Sequence, residues 1–267
     1  MLKTRVIVAV VALPILVGVV LAGDWLFALV ILAALLLAGD EYTRLLRQGS
    51  YHPPEFLVLS LIALLWAATW FDHPDWREPA VALVLIVGVF YAIVSMERNR
   101  PPMITDLALA VFGGLYLGWL GSFVVAIREL KEGAYLTLLI YGCVAFSDSA
   151  AFFVGRTWGK HKLSPRVSPK KTWEGYIGSV IGGPLFGAGV AMLVSSDVLS
   201  WAHGAVLGLL IGTLGTVGDL AISVIKRQVG AKDSSHLIPG HGGVLDRTDS
   251  VLVAAAISYF YLIWFVF

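Results

Sequence analysis

The 267-residue chain has one cysteine, Cys143. No intramolecular disulfide can form from it, and its place in an apolar run suits a small packing residue. Only six histidines accompany it, so a Cys/His ligand set of the kind that holds zinc is disfavoured. Charge is scarce as well. Asp, Glu, Lys and Arg make up 14% of the residues against 58% hydrophobic, and the mean hydropathy is +0.83. That balance leaves no room for a separate soluble domain. Neither a fixed-period repeat nor a low-complexity segment interrupts the chain.

Long apolar runs fill it instead. Stretches of about 18 or more apolar residues read as membrane-spanning helices. Nine runs are present, at 6–22, 25–39, 56–71, 79–96, 104–127, 135–154, 175–195, 204–223 and 250–267. Their number argues against a soluble helical core. The second is short, so a re-entrant or interfacial course stays open for it. The fifth is long enough to tilt or to break near Gly113-Gly114. The expected fold is an all-α polytopic membrane protein with about nine transmembrane helices. Spans one to five (1–130) and six to nine (131–267) are expected to form one integrated domain.

Lys and Arg orient the chain, because cytoplasmic loops carry them in excess. With the N-terminus in the cytoplasm, 16 of the 19 basic residues fall on the cytoplasmic side and only Arg77, Arg128 and Lys131 on the other. That split predicts a cytoplasmic N-terminus and a C-terminus on the opposite side. The start, Lys3-Thr4-Arg5 and an apolar run to Ala22, has features of a signal peptide. The charge count fits better when it is kept as span one.

Polarity gathers in two cytoplasmic segments, 155–174 and 224–249. Ser223–Asp249 alone holds seven charged residues and four glycines in 27 positions. Carboxylates inside spans are costly and usually functional. Asp106 lies near the start of span five and reads as a solvated end. Asp148 and Asp219 lie deeper, both roughly 20 Å from the outer ends of their helices, so they can converge. The alternative is two separate acids, each satisfied by local hydroxyls, such as Ser147 and Ser149 beside Asp148.

Span eight carries Gly204, Gly208, Gly212, Gly215, Asp219, Ser223 and Lys226 in steps of three or four, which places them on one helix face. The glycines allow close packing, and the face ends as the wall of a polar cavity. Beyond it come Lys232-Asp233, Pro239-Gly240-His241-Gly242-Gly243 and Asp246-Arg247-Thr248-Asp249. Glycines let backbone N–H groups approach phosphate oxygens, and Lys and Arg neutralise their charge. Carboxylates with few His and no Cys partners suit a hard cation such as Mg²⁺. The pattern reads as a metal-dependent phosphate or pyrophosphate site. The plainer alternative is a Gly-rich turn with solvated charges.

Ser223-x-x-Lys226-Arg227-x4-Lys232-Asp233-x5-Pro239-x-His241-Gly242-Gly243-x-x-Asp246-Arg247-x-Asp249 resembles the signature of the phosphatidate cytidylyltransferases, or CDP-diacylglycerol synthases. Gly159–Pro165 with Ser168–Gly175, which contains Lys170-Lys171-Thr172-Trp173, is similar to a second motif of that family. Gly218-Asp219 fits as well. Asp148-Ser149-Ala150 departs from the Asp-Thr-Gly-like segment usual there. The resemblance covers roughly residues 145–250.

The resemblance implies transfer of the CMP moiety of CTP to phosphatidate, giving CDP-diacylglycerol and pyrophosphate for phospholipid synthesis. It also implies an Mg²⁺-dependent inner-membrane enzyme acting from the cytoplasmic side, with a second cation left open, and a homodimer. Nucleic acid is not an expected partner. Asp219, Asp246, Asp249 and Asp148 are the candidate metal ligands. Asp219, Asp246, Lys226 and His241 are the candidate catalytic residues, His241 as hydrogen-bond donor or proton shuttle. Lys170, Lys171, Thr172, Ser223, Arg227, Lys232, Gly242, Gly243 and Arg247 are the candidate substrate contacts. Two other readings remain: a related enzyme with another lipid phosphate as acceptor, and a transporter, which would require inverted repeats.

Overall fold

The computed structural model describes residues 2–99, 104–194, 196–240 and 242–267, with side chains throughout except at 2–7 and 9. Arg100 and the candidate residue His241 lie outside the described residues. Ten α-helices dominate: α1 Leu2–Ala22, α2 Asp24–Gln48, α3 Glu55–Trp70, α4 Arg77–Glu97, α5 Ile104–Gly114, α6 Leu120–Arg128, α7 Gly133–Trp158, α8 Trp173–Leu193, α9 Trp201–Gln228 and α10 Leu245–Phe265. The sheet is a single hairpin, β1 Lys162–Ser164 and β2 Ser168–Thr172, antiparallel with Lys162 opposite Thr172.

Each apolar run of the sequence is helical over most of its described residues. Among the described residues seven helical segments, with Ile104–Arg128 counted as one, are long and apolar enough to cross a membrane, while Val10–Ala22 and Glu55–Trp70 are shorter apolar helices. The chain is an all-α polytopic membrane protein. Helix α4 shows the logic of a lipid-facing segment. Its small residues Ala80, Val84 and Gly88 turn inward, whereas Leu83, Ile86, Val89, Phe90 and Ile93 are exposed. Such a helix packs through its small side and offers bulk to the acyl chains.

The length of α2 differs from the sequence reading. The second run, 25–39, stops short of Asp40, yet α2 continues to Gln48 and spans 25 residues. Asp40 pairs with Arg44 one turn on at 2.7 Å, and Glu41 is buried against hydrogen-bond donors, so the acids extend the helix rather than end it. The third run keeps its expected length, forming 16 residues of helix, about 24 Å, less than the ~30 Å hydrocarbon core. The fifth run does deform beyond Gly113-Gly114. Leu115–Trp119 is a π-helical turn joining α5 to α6, and a side chain at Gly118 would lie 2.8 Å from the Ile62 Cα.

The chain divides into two compact units. The first comprises Met1–Ala126 and Ile225–Thr248. Within it α3 is central, packing on α2, α4 and α5 through Leu57, Leu61, Ile62, Leu65 and Trp66. The second comprises Ile127–Val224 and Asp249–Phe267. Its α7, α8 and α9 are held through glycine. Gly178 and Gly182 of α8 meet Val154 and Ala150 of α7. The predicted glycine face of α9 lies on α8: Gly204 on Gly187, Gly208 on Gly183 and Gly212 on Ser179, each backbone against backbone. Gly215 has no neighbour closer than Ile211 of its own helix, at 3.9 Å.

Candidate functional site

In the second unit a cavity of about 420 Å³ opens among α7, the hairpin, α8 and α9. Asp148 and Arg156 reach it from α7, Lys170, Lys171 and Thr172 from β2, Tyr176 from α8, and Asp219 from α9. The local chain explains this convergence. Thr172 ends β2 and begins α8, its Oγ1 accepting the Gly175 N–H at 3.2 Å as an N-cap. The hairpin is held to the same turn by Glu174, whose carboxylate accepts the backbone N–H groups of Lys160 and His161 and pairs with His161 Nδ1 at 2.6 Å. Two lysines and a helix N-terminus therefore face one space, an arrangement that attracts anions.

Lys171 Nζ lies 2.7 Å from Asp219 Oδ2, and Ser223 Oγ donates to Asp219 Oδ1 at 3.2 Å. Asp219 is about one-third exposed, so this pair remains open to exchange with a ligand. Ser149, beside Asp148, donates its hydroxyl to the Ala145 carbonyl at 2.7 Å. Phe152 and Leu163 give the same cavity an apolar wall. Trp173 is half-exposed and stands edge-on to Tyr176.

In the first unit the loop after α9 is tightly organised. Ala231 N donates to Lys226 O, Arg227 donates to Ala231 O, and Ile238 N donates to Gly242 O at 2.8 Å. Gly242 sits at φ +82, a left-handed conformation that favours glycine. Asp246 is the hub. Its Oδ1 accepts Lys226 Nζ at 2.6 Å, and its Oδ2 accepts Ser234 N at 2.8 Å, Ser234 Oγ at 2.9 Å and Gly243 N at 3.1 Å. Both partners of the ion pair are buried. Lys232 and Arg247 are exposed beside this hub.

The predicted residues thus fall into groups. Asp148, Asp219, Lys170, Lys171 and Thr172 share the cavity, with Ser223 on Asp219. Lys226, Gly242, Gly243 and Asp246 share the loop hub. Asp249 belongs to the second unit, buried, with its Oδ1 accepting Ser250 N and its backbone against Gly218. Asp106, read as a solvated end, is instead 4% exposed and accepts the His52 N–H at 2.8 Å. The sequence reading missed Glu41, which sits on α2, is 4% exposed, and accepts hydrogen bonds from the loop. The signal was present: an acid inside a run of helix-forming residues that Arg44 and Arg47 continue at helical spacing.

A model of the cytidylyltransferase family matches residues 3–265. Among curated relatives, the phosphatidate cytidylyltransferase of Synechocystis is 30% identical, over 97% of this chain and 96% of that protein. The phosphatidate cytidylyltransferase of Thermotoga maritima is 32% identical, over 97% and 95%. That of Bacillus subtilis is 29% identical, over 99% and 98%.

Proposed function

Since the chain belongs to the cytidylyltransferase family, we propose that it transfers the CMP moiety of CTP to phosphatidate. A phosphate oxygen of the lipid attacks the α-phosphorus of CTP. The bond from that phosphorus to the bridging oxygen breaks, and pyrophosphate leaves with the electron pair. The products are CDP-diacylglycerol and pyrophosphate. The attacking monoester is largely ionised at neutral pH, so no protein base and no covalent intermediate are needed. Positioning and charge neutralisation carry the reaction.

The observation that carries this reading is the lining of the 420 Å³ cavity. Lys170, Lys171 and the N-terminus of α8 supply positive charge for phosphate oxygens. Phe152 and Leu163 supply an apolar wall suited to the glycerolipid portion. Lys171 would exchange Asp219 for a phosphate oxygen on binding.

Magnesium suits the donor set. It takes one or two carboxylates and leaves its other positions to water and phosphate, so the lack of a three-residue metal cluster among the described residues fits that mode. Asp219 and Asp148 line one cavity. Asp246 offers Oδ1, now held by Lys226, since its Oδ2 is taken by three donors. Both Asp219 and Asp246 pair with a lysine ammonium, which supports their taking a cation. The metal, when bound, would neutralise charge developing on the pyrophosphate. Asp249 is a further candidate ligand, and a second cation fits the same chemistry. We place the protein in the cytoplasmic membrane as a homodimer, its reaction on the cytoplasmic face where CTP is found.

The test uses purified protein in detergent with labelled CTP, Mg²⁺ and a panel of lipid phosphates. CDP-diacylglycerol and pyrophosphate should form in equal amounts only with CTP and phosphatidate together. Preference for a different lipid phosphate would overturn the acceptor, and absence of any CTP turnover would overturn the activity.

A further inference from the structure

We propose that Glu41 is a positioning residue that clamps the two ends of the 234–245 loop from α2. Its Oε1 accepts Ser235 Oγ at 2.7 Å and Val244 N at 3.0 Å. Its Oε2 accepts Leu245 N at 2.8 Å and Ser234 Oγ at 3.1 Å. Four donors, two from each end of the loop, therefore meet one buried carboxylate some 200 positions away in sequence, at separations of 193 to 204. The first N–H groups of a helix have no partner within it. Glu41 supplies one to the start of α10 from another helix, with its negative charge at the favourable end of the α10 dipole.

The clamp joins the hub around Asp246. Ser234 Oγ stands within hydrogen-bond distance of Glu41 Oε2 and of Asp246 Oδ2, at 3.1 and 2.9 Å. A hydroxyl has one proton, so it donates to one carboxylate at a time and couples the two. Gly243 completes the arrangement, because a side chain there would strike both Ser234 Oγ and the Glu41 carboxylate. Asp246 is held by Ser234 and Gly243; Glu41 holds Ser234 directly and Gly243 through its chain neighbour Val244. Loosening Glu41 therefore releases the donors that orient Asp246. Its effect passes through the loop.

This inference rests on the proposed reaction for its kinetic readout and has a second readout that does not. Glu41→Gln keeps the length but turns one acceptor oxygen into an NH₂ group facing loop donors. Glu41→Asp keeps both acceptor oxygens. Tyr42→Phe is the control: it removes the hydrogen bond from Tyr42 to the Leu109 carbonyl, 2.9 Å long, without touching the loop. The expected result for Glu41→Gln is a fall in kcat of about 30-fold or more. The Mg²⁺ concentration for half-maximal rate should rise, because Asp246 is the group released. Glu41→Asp should recover part of both. Tyr42→Phe should lower the thermal midpoint and leave kcat within about twofold. Amide exchange in peptides covering 234–245 should quicken in Glu41→Gln and stay unchanged in Tyr42→Phe. Wild-type exchange in the loop of Glu41→Gln overturns the clamp, whatever the enzyme does. Faster exchange with wild-type kcat and Mg²⁺ response overturns the positioning role. An inactive wild-type protein would overturn the reaction instead, with the exchange readout still deciding the clamp.

Discussion

Gly212→Ala adds one methyl group to α9 at its contact with α8. The new Cβ would lie 2.5 Å from the Ser179 carbonyl oxygen, 3.1 Å from its carbonyl carbon and 3.4 Å from Val180 Cα. These are backbone atoms, so no side chain can swing aside. Ordinary contact would be restored if α9 retreated by about 0.9 Å, the gap between 2.5 and 3.4 Å. The same retreat strains the bond from Ser179 Oγ to the Gly212 carbonyl, now 2.9 Å and buried. Overpacking of this kind costs about 1–3 kcal/mol. Asp219 lies two turns along the same helix, about 10 Å away, and moves with it relative to Lys171 and Asp148. A displacement near 1 Å costs about 10²-fold in rate when it misplaces reacting groups. We expect kcat to fall by about 30- to 100-fold, with KM for CTP changed by less than about threefold. Gly215→Ala on the same face should be nearly silent, since its nearest neighbour is Ile211 at 3.9 Å. Initial rates in detergent, with size-exclusion profiles to establish folding, decide the matter. Wild-type turnover in folded Gly212→Ala, or an equal loss in Gly215→Ala, would refute the reasoning.

Asp219→Asn and Asp246→Asn keep side-chain size and remove charge. Each should lose most turnover while remaining folded, and near-normal rates in both at every Mg²⁺ concentration of a titration, low ones included, would sink their assignment as metal ligands. Lys226→Met should destabilise the protein by about 3–5 kcal/mol, because it leaves the buried Asp246 carboxylate without its cation. Thermal unfolding should show the double variant with Asp246→Asn losing less than the sum of the singles, and strict additivity would argue against the pair. With Cys143 replaced, cysteines introduced by Ser168→Cys and Ser235→Cys should react with an impermeant thiol reagent only from the cytoplasmic side. Labelling of Ser235→Cys in intact cells would reverse the orientation.

The helical, membrane-embedded class was determined by the sequence alone, because hydropathy and a period of 3.6 residues are local properties. The α9 glycine face was legible for the same reason: steps of three and four place residues on one side whatever surrounds them. So was the family, whose motif holds charges and glycines at set spacings. Tertiary structure decided which neighbour each residue meets. Periodicity could not separate Gly212, pressed against Ser179, from Gly215 three residues on, where an added Cβ would meet only Ile211 at an ordinary 3.9 Å. It could not show that 162–172 folds into a hairpin, since its short polar strands carry little alternation. Above all it could not pair Glu41 with a loop some 200 residues away. A carboxylate reads as the polar end of a span until the fold brings four donors to it, and only that convergence makes its burial affordable.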